Sequence, residues 1–240
     1  MSTVERVVLE PAFVLHGRAY RETSELLEVL SRDHGRVSLV ARGARRPGSR
    51  LRPLLQPFQP LLLSWSGRSG GLMTLAAAEG AGAALALAGD GLMSGFYLNE
   101  LLLRFLHRGD PHPRVFAGYA RTLGMLGCGL APESALRGFE MQLLAESGYG
   151  LNLDHEALSG LPLDPGGRYQ YVAERGPVAS GEGATDAATY RGTELLAIGR
   201  GELDGAATLQ SARRLLRAVL DHHLGGQALK TRRVARAMRR

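Results

Sequence analysis

The chain has 240 residues, of which 45% are hydrophobic and 22% charged, a composition typical of folded globular proteins and not of disordered ones. No run approaches the ~18 apolar residues of a membrane-spanning helix, and the acid-containing start MSTVERVVLE does not match a secretory signal. The formal net charge is +6, and the single cysteine, Cys128, excludes a disulfide framework or a multi-cysteine zinc site within one chain. We expect a cytoplasmic protein without cofactors.

The charge is segregated along the chain. Residues 1–80 carry 11 Arg against 7 acidic residues, and residues 81–210 carry 9 Arg against 15 acidic residues. Residues 211–240 carry 9 basic residues against a single acid, Asp221. A coding preference for arginine would explain why 28 of the 29 basic residues are Arg, but it would not separate the charges. Two basic ends around an acidic middle favour two surfaces for an anionic partner.

The first 80 residues predict about five short strands. Alternating apolar residues over 36–42 indicate a half-buried strand and place Arg36 and Arg42 on its outer face. Prolines at 47, 53, 57 and 60 exclude a central strand or helix from the connection that follows. Five strands in roughly 80 residues are typical of a small Greek-key barrel such as the OB-fold. The remaining strands are predicted at 13–20, 26–30, 61–65 and 72–75.

A dense run of arginines begins in the strand predicted over 36–42 and continues into the connection after it. Residues 36–52 contain six arginines and no acid, and glycines 43 and 48 would let backbone amides approach a phosphate. A solvated loop is the alternative interpretation, since charge runs are often only that. Aromatic residues able to stack on bases lie in the same segment: Phe13, Tyr20, Phe58 and Trp65. The predicted phosphate contacts with a nucleic acid are Arg36, Arg42, Arg45, Arg46, Arg50 and Arg52.

From residue 81 the pattern becomes helical, and the predicted fold class is α+β. We predict a first short helix in AGAALALAGDG (81–91) and further helices near 96–106, 114–126 and 133–147, with another after Gly205. Short strands are expected at 168–173 and 177–180. The predicted domains are an OB-fold over 1–80 and a mostly α-helical domain over 81–240, with a loop-rich insertion around 150–204. The basic segment from Lys230, with Arg232 and Arg233, is either a second phosphate contact or a disordered tail.

Motifs for catalysis or metal binding are weak. Gly67-Arg68-Ser69-Gly70-Gly71 matches the pattern of a nucleophile elbow, but the following LMTL predicts a strand where the elbow needs a helix. Asp221-His222-His223 lacks the further ligands that a zinc site requires. We therefore predict a protein that is not an enzyme and holds no metal, with a hydrolase using Ser69 as the remote alternative.

Five ordered blocks span most of the chain: PAFVLHGRAYRETSELLEVLSRDHGRVSLVARGAR (11–45), LLQPFQPLLL (54–63), GFYLNELLLRFL (95–106), PESALRGFEMQLLAESGYG (132–150) and LGGQALKTRR (224–233). They resemble the RecO family of bacterial DNA repair and recombination mediators. Residues 151–204 match least. Some members of that family carry a four-cysteine zinc motif, which this sequence lacks, so the chain looks like the zinc-free branch.

The resemblance implies an OB-fold followed by a helical domain, and a nucleoid-associated protein that binds ssDNA and dsDNA and anneals complementary strands. With RecR, such proteins help load RecA onto DNA coated by the single-stranded-DNA-binding protein, SSB. It also implies a dock for the acidic C-terminal tail of SSB on the helical domain, at Arg137 with the apolar residues Leu136, Phe139 and Leu143. An OB-type RNA-binding protein without a mediator role is the alternative.

Overall fold

The computed structural model describes residues 4–68, 72–83, 85–130, 132–181 and 189–238. Internal contacts divide the chain into two compact units, one ending at Leu130 and the other covering 131–237. The predicted boundary between residues 80 and 81 marks the change from strands to helices, whereas the compact units divide after Leu130. The first unit therefore contains the barrel and the two helices that follow it.

The first five strands close into a barrel in the order β1-β2-β3-β5-β4, which confirms the OB-like prediction. Every pair is antiparallel except β3–β5, which is parallel. A one-turn helix, α1 (Leu51–Leu54), lies in the β3–β4 connection. The strands are β1 (Val4–Tyr20), β2 (Ser24–Ser31), β3 (Gly35–Ala41), β4 (Leu61–Arg68) and β5 (Met73–Gly80).

The long strand β1 closes the barrel because it pairs with two neighbours. Its first part pairs with β4 and its second part with β2, and register shifts at Val7/Glu10 and Val14/His16 bend it between them. Alternate residues of the strands fill the interior, where Leu27, Leu39 and Trp65 are at most 1% exposed. Each buried side chain of this size contributes roughly 1.5–3 kcal/mol to folding.

Two helices complete the first unit, α2 (Gly89–Phe105) and α3 (Pro113–Gly127). A buried hydrogen-bond chain fixes them to β1: the Tyr119 hydroxyl donates to Asn99 Oδ1 at 2.5 Å, and Asn99 Nδ2 donates to the Leu15 carbonyl at 2.8 Å. Burial raises the pKa of Tyr119, so the phenol stays a donor.

The predicted short helix over 81–91 is wrong. In the described part of this segment the chain is irregular up to residue 88, and α2 begins at Gly89. Leu85 and Leu87 both lie close to Gly127, and Leu87 also packs on Gly95. Side chains two residues apart share a face in an extended chain and not in a helix, so packing outweighs the helix propensity of alanine here.

The second unit combines helices with a small sheet of order β7-β6-β8. The predicted helices near 133–147 and after Gly205 are confirmed as α4 and α6, and the two predicted strands as β6 and β7. The basic segment from Lys230 is helical up to Met238, so the disordered-tail interpretation is wrong for these residues. The elements are α4 (Pro132–Glu146), β6 (Arg168–Val172), β7 (Gly176–Ala179), β8 (Tyr190–Arg191), α5 (Gly192–Gly199), α6 (Ala206–His223) and α7 (Lys230–Met238).

Candidate nucleic-acid interface

The connection that leaves β3 is folded into successive turns. Ala44 is fully buried in the barrel core, and the Arg45 amide donates to the Thr23 carbonyl at 2.9 Å. The Arg46 amide donates to the Gly43 carbonyl at 3.1 Å. Gly43 has a φ of +70°, a left-handed conformation that favours glycine. The backbone of this loop is therefore anchored at residues 43–46, between Arg42 and Arg50.

Five of the six predicted arginines are exposed on this loop. Within the described residues, none of them pairs with a carboxylate. Arg45 is restrained further, since its Nη1 lies 3.5 Å from the Arg21 carbonyl and 3.4 Å from the Glu22 carbonyl. The loop thus presents five cations whose charge is not neutralised within the described structure. The five, which we call the arginine loop, are Arg42, Arg45, Arg46, Arg50 and Arg52.

Arg36 is placed differently from the other five. It lies on the outer face of β3, but its side chain is only 16% exposed and donates to the Leu103 carbonyl. Its Nε lies 3.7 Å from Glu28 Oε2, and burial lowers the pKa of Arg36. Alternation correctly predicted the face of the strand. It did not show that α2 and the residues after it cover that face.

The residues that follow α2 cover part of β2 and β3 through polar contacts. The Arg108 guanidinium lies 2.5 Å from Glu28 Oε1, which also accepts from the Ser38 hydroxyl at 2.8 Å. The Gly109 amide donates to the Arg36 carbonyl at 3.0 Å. OB-folds commonly bind oligonucleotides on this face. Here the chain's own segment occupies part of it, whereas the arginine loop beside it is open.

Three of the four predicted stacking residues are core residues, and the prediction is wrong for them. Phe13 packs on Phe116 and Tyr119, and Phe58 lies 4% exposed against Phe96. Trp65 is 1% exposed within the barrel. An aromatic residue in a strand serves a core as readily as a ligand, so composition could not separate the two roles.

Tyr20 is the fourth, and the structure adds a neighbour that the sequence did not indicate. Tyr20 is half-buried at the end of β1, and the Arg21 guanidinium lies 5.3 Å from its ring centroid. Arg21 adjoins the arginine loop through the contacts of Arg45 with the β1–β2 turn. Arg45 and Arg21 are 24 positions apart in the chain, so no local pattern in the sequence indicates that they are neighbours.

Both parts of the chain match family models. Residues 4–83 match the model described as Recombination protein O N terminal, and residues 87–233 match Recombination protein O C terminal. The chain belongs to the RecO family. It is 47% identical over 239 residues to the DNA repair protein RecO of Aromatoleum aromaticum, covering 99% of each chain. It is 48% identical over 235 residues to that of Nitrosococcus oceani, covering 98% of this chain and 95% of the relative.

RecO membership makes this chain a DNA repair and recombination protein, a mediator and not an enzyme. Residues 69–71, which include the predicted Ser69 of the elbow pattern, lie outside the described residues. In the part of the chain that the structure describes, no three His, Cys, Asp or Glu side chains group as metal ligands would. His222 instead lies 3.2 Å from Glu174, and His223 stacks on Tyr149 at 4.1 Å. No helix among the described residues has the length and apolarity to cross a bilayer.

The residues predicted to dock the SSB tail in this RecO chain lie on α4. Arg137 is 8% exposed, and its Nη2 lies 2.5 Å from Oε1 of the buried Glu140. Phe139 and Leu143 are 2% and 0% exposed, whereas Leu136 is half-buried. Helix α4 turns its apolar face into the core of its unit, so these four residues do not form an open apolar pocket.

The C-terminal basic residues lie on α7. Lys230 and Arg233 are exposed, and Arg232 lies 2.6 Å from Asp221 of α6. The buried Leu229 precedes the helix and anchors it. Of the three predicted contacts, Arg232 is thus already matched with a carboxylate.

Proposed function

We propose that this protein binds single- and double-stranded DNA and anneals complementary strands, with the arginine loop as its main phosphate-binding surface. The observation that carries the proposal is the set of five exposed arginines, without carboxylate partners in the described structure, on an anchored loop of the barrel. Annealing requires that phosphates of two strands be neutralised while their base edges stay accessible. Guanidinium groups on an exposed loop do this, because they contact the backbone and leave the bases to pair.

The proposal extends to the partners of the RecO family: RecR, SSB and, through them, RecA. Family membership supports these partners. For the acidic SSB tail we keep α4 as the proposed dock, with Arg137 and the half-buried Leu136 as the contacts and the buried Phe139 and Leu143 as the apolar support beneath them. Because Arg137 holds Glu140 at 2.5 Å, the tail would have to replace that carboxylate with one of its own. The exposed residues of α7, Lys230 and Arg233, are a proposed second DNA contact, with Arg232 beside them.

Annealing of complementary oligonucleotides, bare and SSB-coated, tests the function. We expect wild-type protein to accelerate both reactions, and the variant carrying Arg42→Glu, Arg45→Glu and Arg46→Glu to lose at least tenfold in rate. Reversal of three charges at the phosphate surface replaces attraction with repulsion. A stopped-flow fluorescence assay at fixed salt gives the rates, and thermal unfolding shows whether the variant is folded.

A matched control reverses three arginines that already face a carboxylate: Arg32 beside Asp33, Arg200 beside Glu202 and Arg213 beside Glu133. It changes the net charge by the same amount, and we expect annealing near the wild-type rate. If the loop variant anneals like wild type, the arginine loop is not the DNA surface. If wild type prefers structured RNA over DNA at equal salt, the RNA-binding alternative replaces the proposal.

A further inference from the structure

Tyr20 is the exception among the aromatic residues of the barrel. Residues 4–80 contain four of them, and Phe13, Phe58 and Trp65 are all at most 4% exposed. Tyr20 stands instead at the last position of β1, opposite Ser24 at the β1–β2 turn. Among the described residues of the barrel, it is therefore the aromatic ring that solvent, or a ligand, reaches most readily.

The side chain of Arg21 is stacked on this ring. Its guanidinium carbon lies 5.3 Å from the Tyr20 centroid, which is within the range of a cation–π contact. Arg21 has a φ of +53°, a left-handed conformation that costs roughly 1–2 kcal/mol for a residue other than glycine. Strain of this kind persists where the surrounding structure fixes it, and it is common at binding sites.

Backbone contacts join this pair to the arginine loop. The Arg45 amide donates to the Thr23 carbonyl at 2.9 Å, and the Arg45 guanidinium lies within 3.5 Å of the Arg21 and Glu22 carbonyls. Arg18, two residues before Tyr20 on β1, is exposed on the same face of the strand. The surface thus has an aromatic–guanidinium pair in the middle and phosphate-binding cations around it.

Two acidic residues near the β1–β2 turn limit which part of a DNA strand the Tyr20–Arg21 pair can bind. Glu22 is exposed beside Arg21, and Glu25 is half-buried at the start of β2. Carboxylates here oppose a phosphate directly over Tyr20, whereas they do not oppose an uncharged base. The local charges therefore favour a base at the ring and phosphates on the flanking arginines.

We propose that Tyr20 and Arg21 form a stacking platform for one unpaired base of single-stranded DNA. This inference rests on the proposed function, whose phosphate surface it extends. Every base has a π-face, so the platform selects for single strands without selecting for sequence. Bases of a duplex are already stacked on each other, so duplex DNA gains nothing from the ring and depends on the phosphate contacts.

The test compares Tyr20→Leu with Tyr20→Phe. We expect Tyr20→Leu to weaken binding of a single-stranded oligonucleotide by roughly 5- to 100-fold, the cost of losing one stacked base. Duplex affinity should stay within about twofold of wild type, because the phosphate contacts remain. Tyr20→Phe keeps the ring and should bind both DNAs like wild type. Fluorescence anisotropy at constant salt measures the affinities of wild type and both variants for each DNA.

Tyr20→Trp provides an independent readout that does not depend on the stability of the Leu variant. Trp65 is the one natural tryptophan and is buried, so its emission serves as the background in wild-type protein. We expect the emission of the introduced indole to be quenched by single-stranded oligonucleotide and not by duplex. No quenching, or equal quenching by both DNAs, would overturn the inference.

The arginine-loop variant separates this inference from the proposed function. If that variant loses DNA binding while Tyr20→Leu binds single strands like wild type, the stacking inference is wrong and the phosphate surface stands. An equal loss of single-strand and duplex affinity in Tyr20→Leu also contradicts stacking, since it points to altered loop geometry. If wild-type protein does not bind DNA, or the arginine-loop variant binds it normally, the proposed function itself fails.

Discussion

Gly35 shows how one residue determines which face of the barrel is open. It begins β3 with a φ of +65°, and a Cβ placed there would lie 2.1 Å from the Asp110 carbonyl oxygen. Only glycine allows the segment after α2 to approach β3 this closely. That approach accompanies the hydrogen bond from the Gly109 amide to Arg36 and the cover over the Arg36 side chain.

We predict that Gly35→Ala lowers the free energy of unfolding by about 2–4 kcal/mol, from the left-handed backbone together with the overlap. Gly48→Ala is the matched control, because Gly48 has a φ of +73° with no atom within 4 Å of the added Cβ. It should cost only about 1 kcal/mol. Urea unfolding measures both, and equal losses would show that the contact with Asp110 adds no cost.

Helix α7 shows how an element with little intrinsic stability is held in place. Its nine residues include four basic side chains and no acid, and isolated helices of this length are marginal in water. Leu229 is buried immediately before it, and Arg232 lies 2.6 Å from Asp221, which is also 3.7 Å from Arg217. The buried Leu229 and a carboxylate on α6 therefore both hold in place a helix whose own charges repel each other.

We predict that Asp221→Asn frees α7 while leaving the rest of the second unit folded. The amides of residues 230–238 should exchange with solvent roughly tenfold faster, since the tethering charge is gone and helix nucleation is costly. Global stability should change by less than about 1 kcal/mol, the usual scale for a partly exposed ion pair. Hydrogen–deuterium exchange with mass spectrometry checks this, and unchanged protection of α7 would show that Leu229 suffices.

The charged residues are segregated along the chain, and this segregation affects the proposed binding of DNA. The formal net charge is only +6, yet the excess of cations lies in residues 1–80 and 211–240, with an acidic stretch between them. Net charge alone would predict weak, diffuse attraction to DNA. In the proposed DNA binding, segregation would concentrate the attraction on the arginine loop and on α7.

We predict that single-strand binding weakens with salt with a log–log slope of about 0.7 per neutralised phosphate. The variant with Glu at positions 42, 45 and 46 should reduce that slope by about 2, because three phosphate contacts are lost. The control reversed at Arg32, Arg200 and Arg213 should keep the wild-type slope. Anisotropy titrations at salt concentrations from about 50 to about 300 mM give the slopes. An unchanged slope in the loop variant would show that these arginines do not contact phosphates.

Local patterns in the sequence predicted seven of the eight described strands, at least in part, and the four long helices α2, α3, α4 and α6. The alternation over residues 36–42 predicted β3 and its faces, and the helical spacing of Leu216, Val219 and Leu220 predicted α6 and its buried side. Hydrophobic periodicity is a local property, so it remains visible in one chain. The first part of β1 was missed because its partner, β4, lies more than 40 residues away.

The character of the candidate surface was also visible in the sequence, since five arginines without an acid are a local composition. Which side chains are open to a ligand was decided by tertiary packing. Arg36, Phe13 and Trp65 have the chemistry of a nucleic-acid site, but contacts with distant segments bury them. Tyr20 and Arg21 adjoin the arginine loop only because the β1–β2 turn pairs with Arg45. The sequence determined which chemical groups are present, and long-range burial determined which of them are open to a ligand.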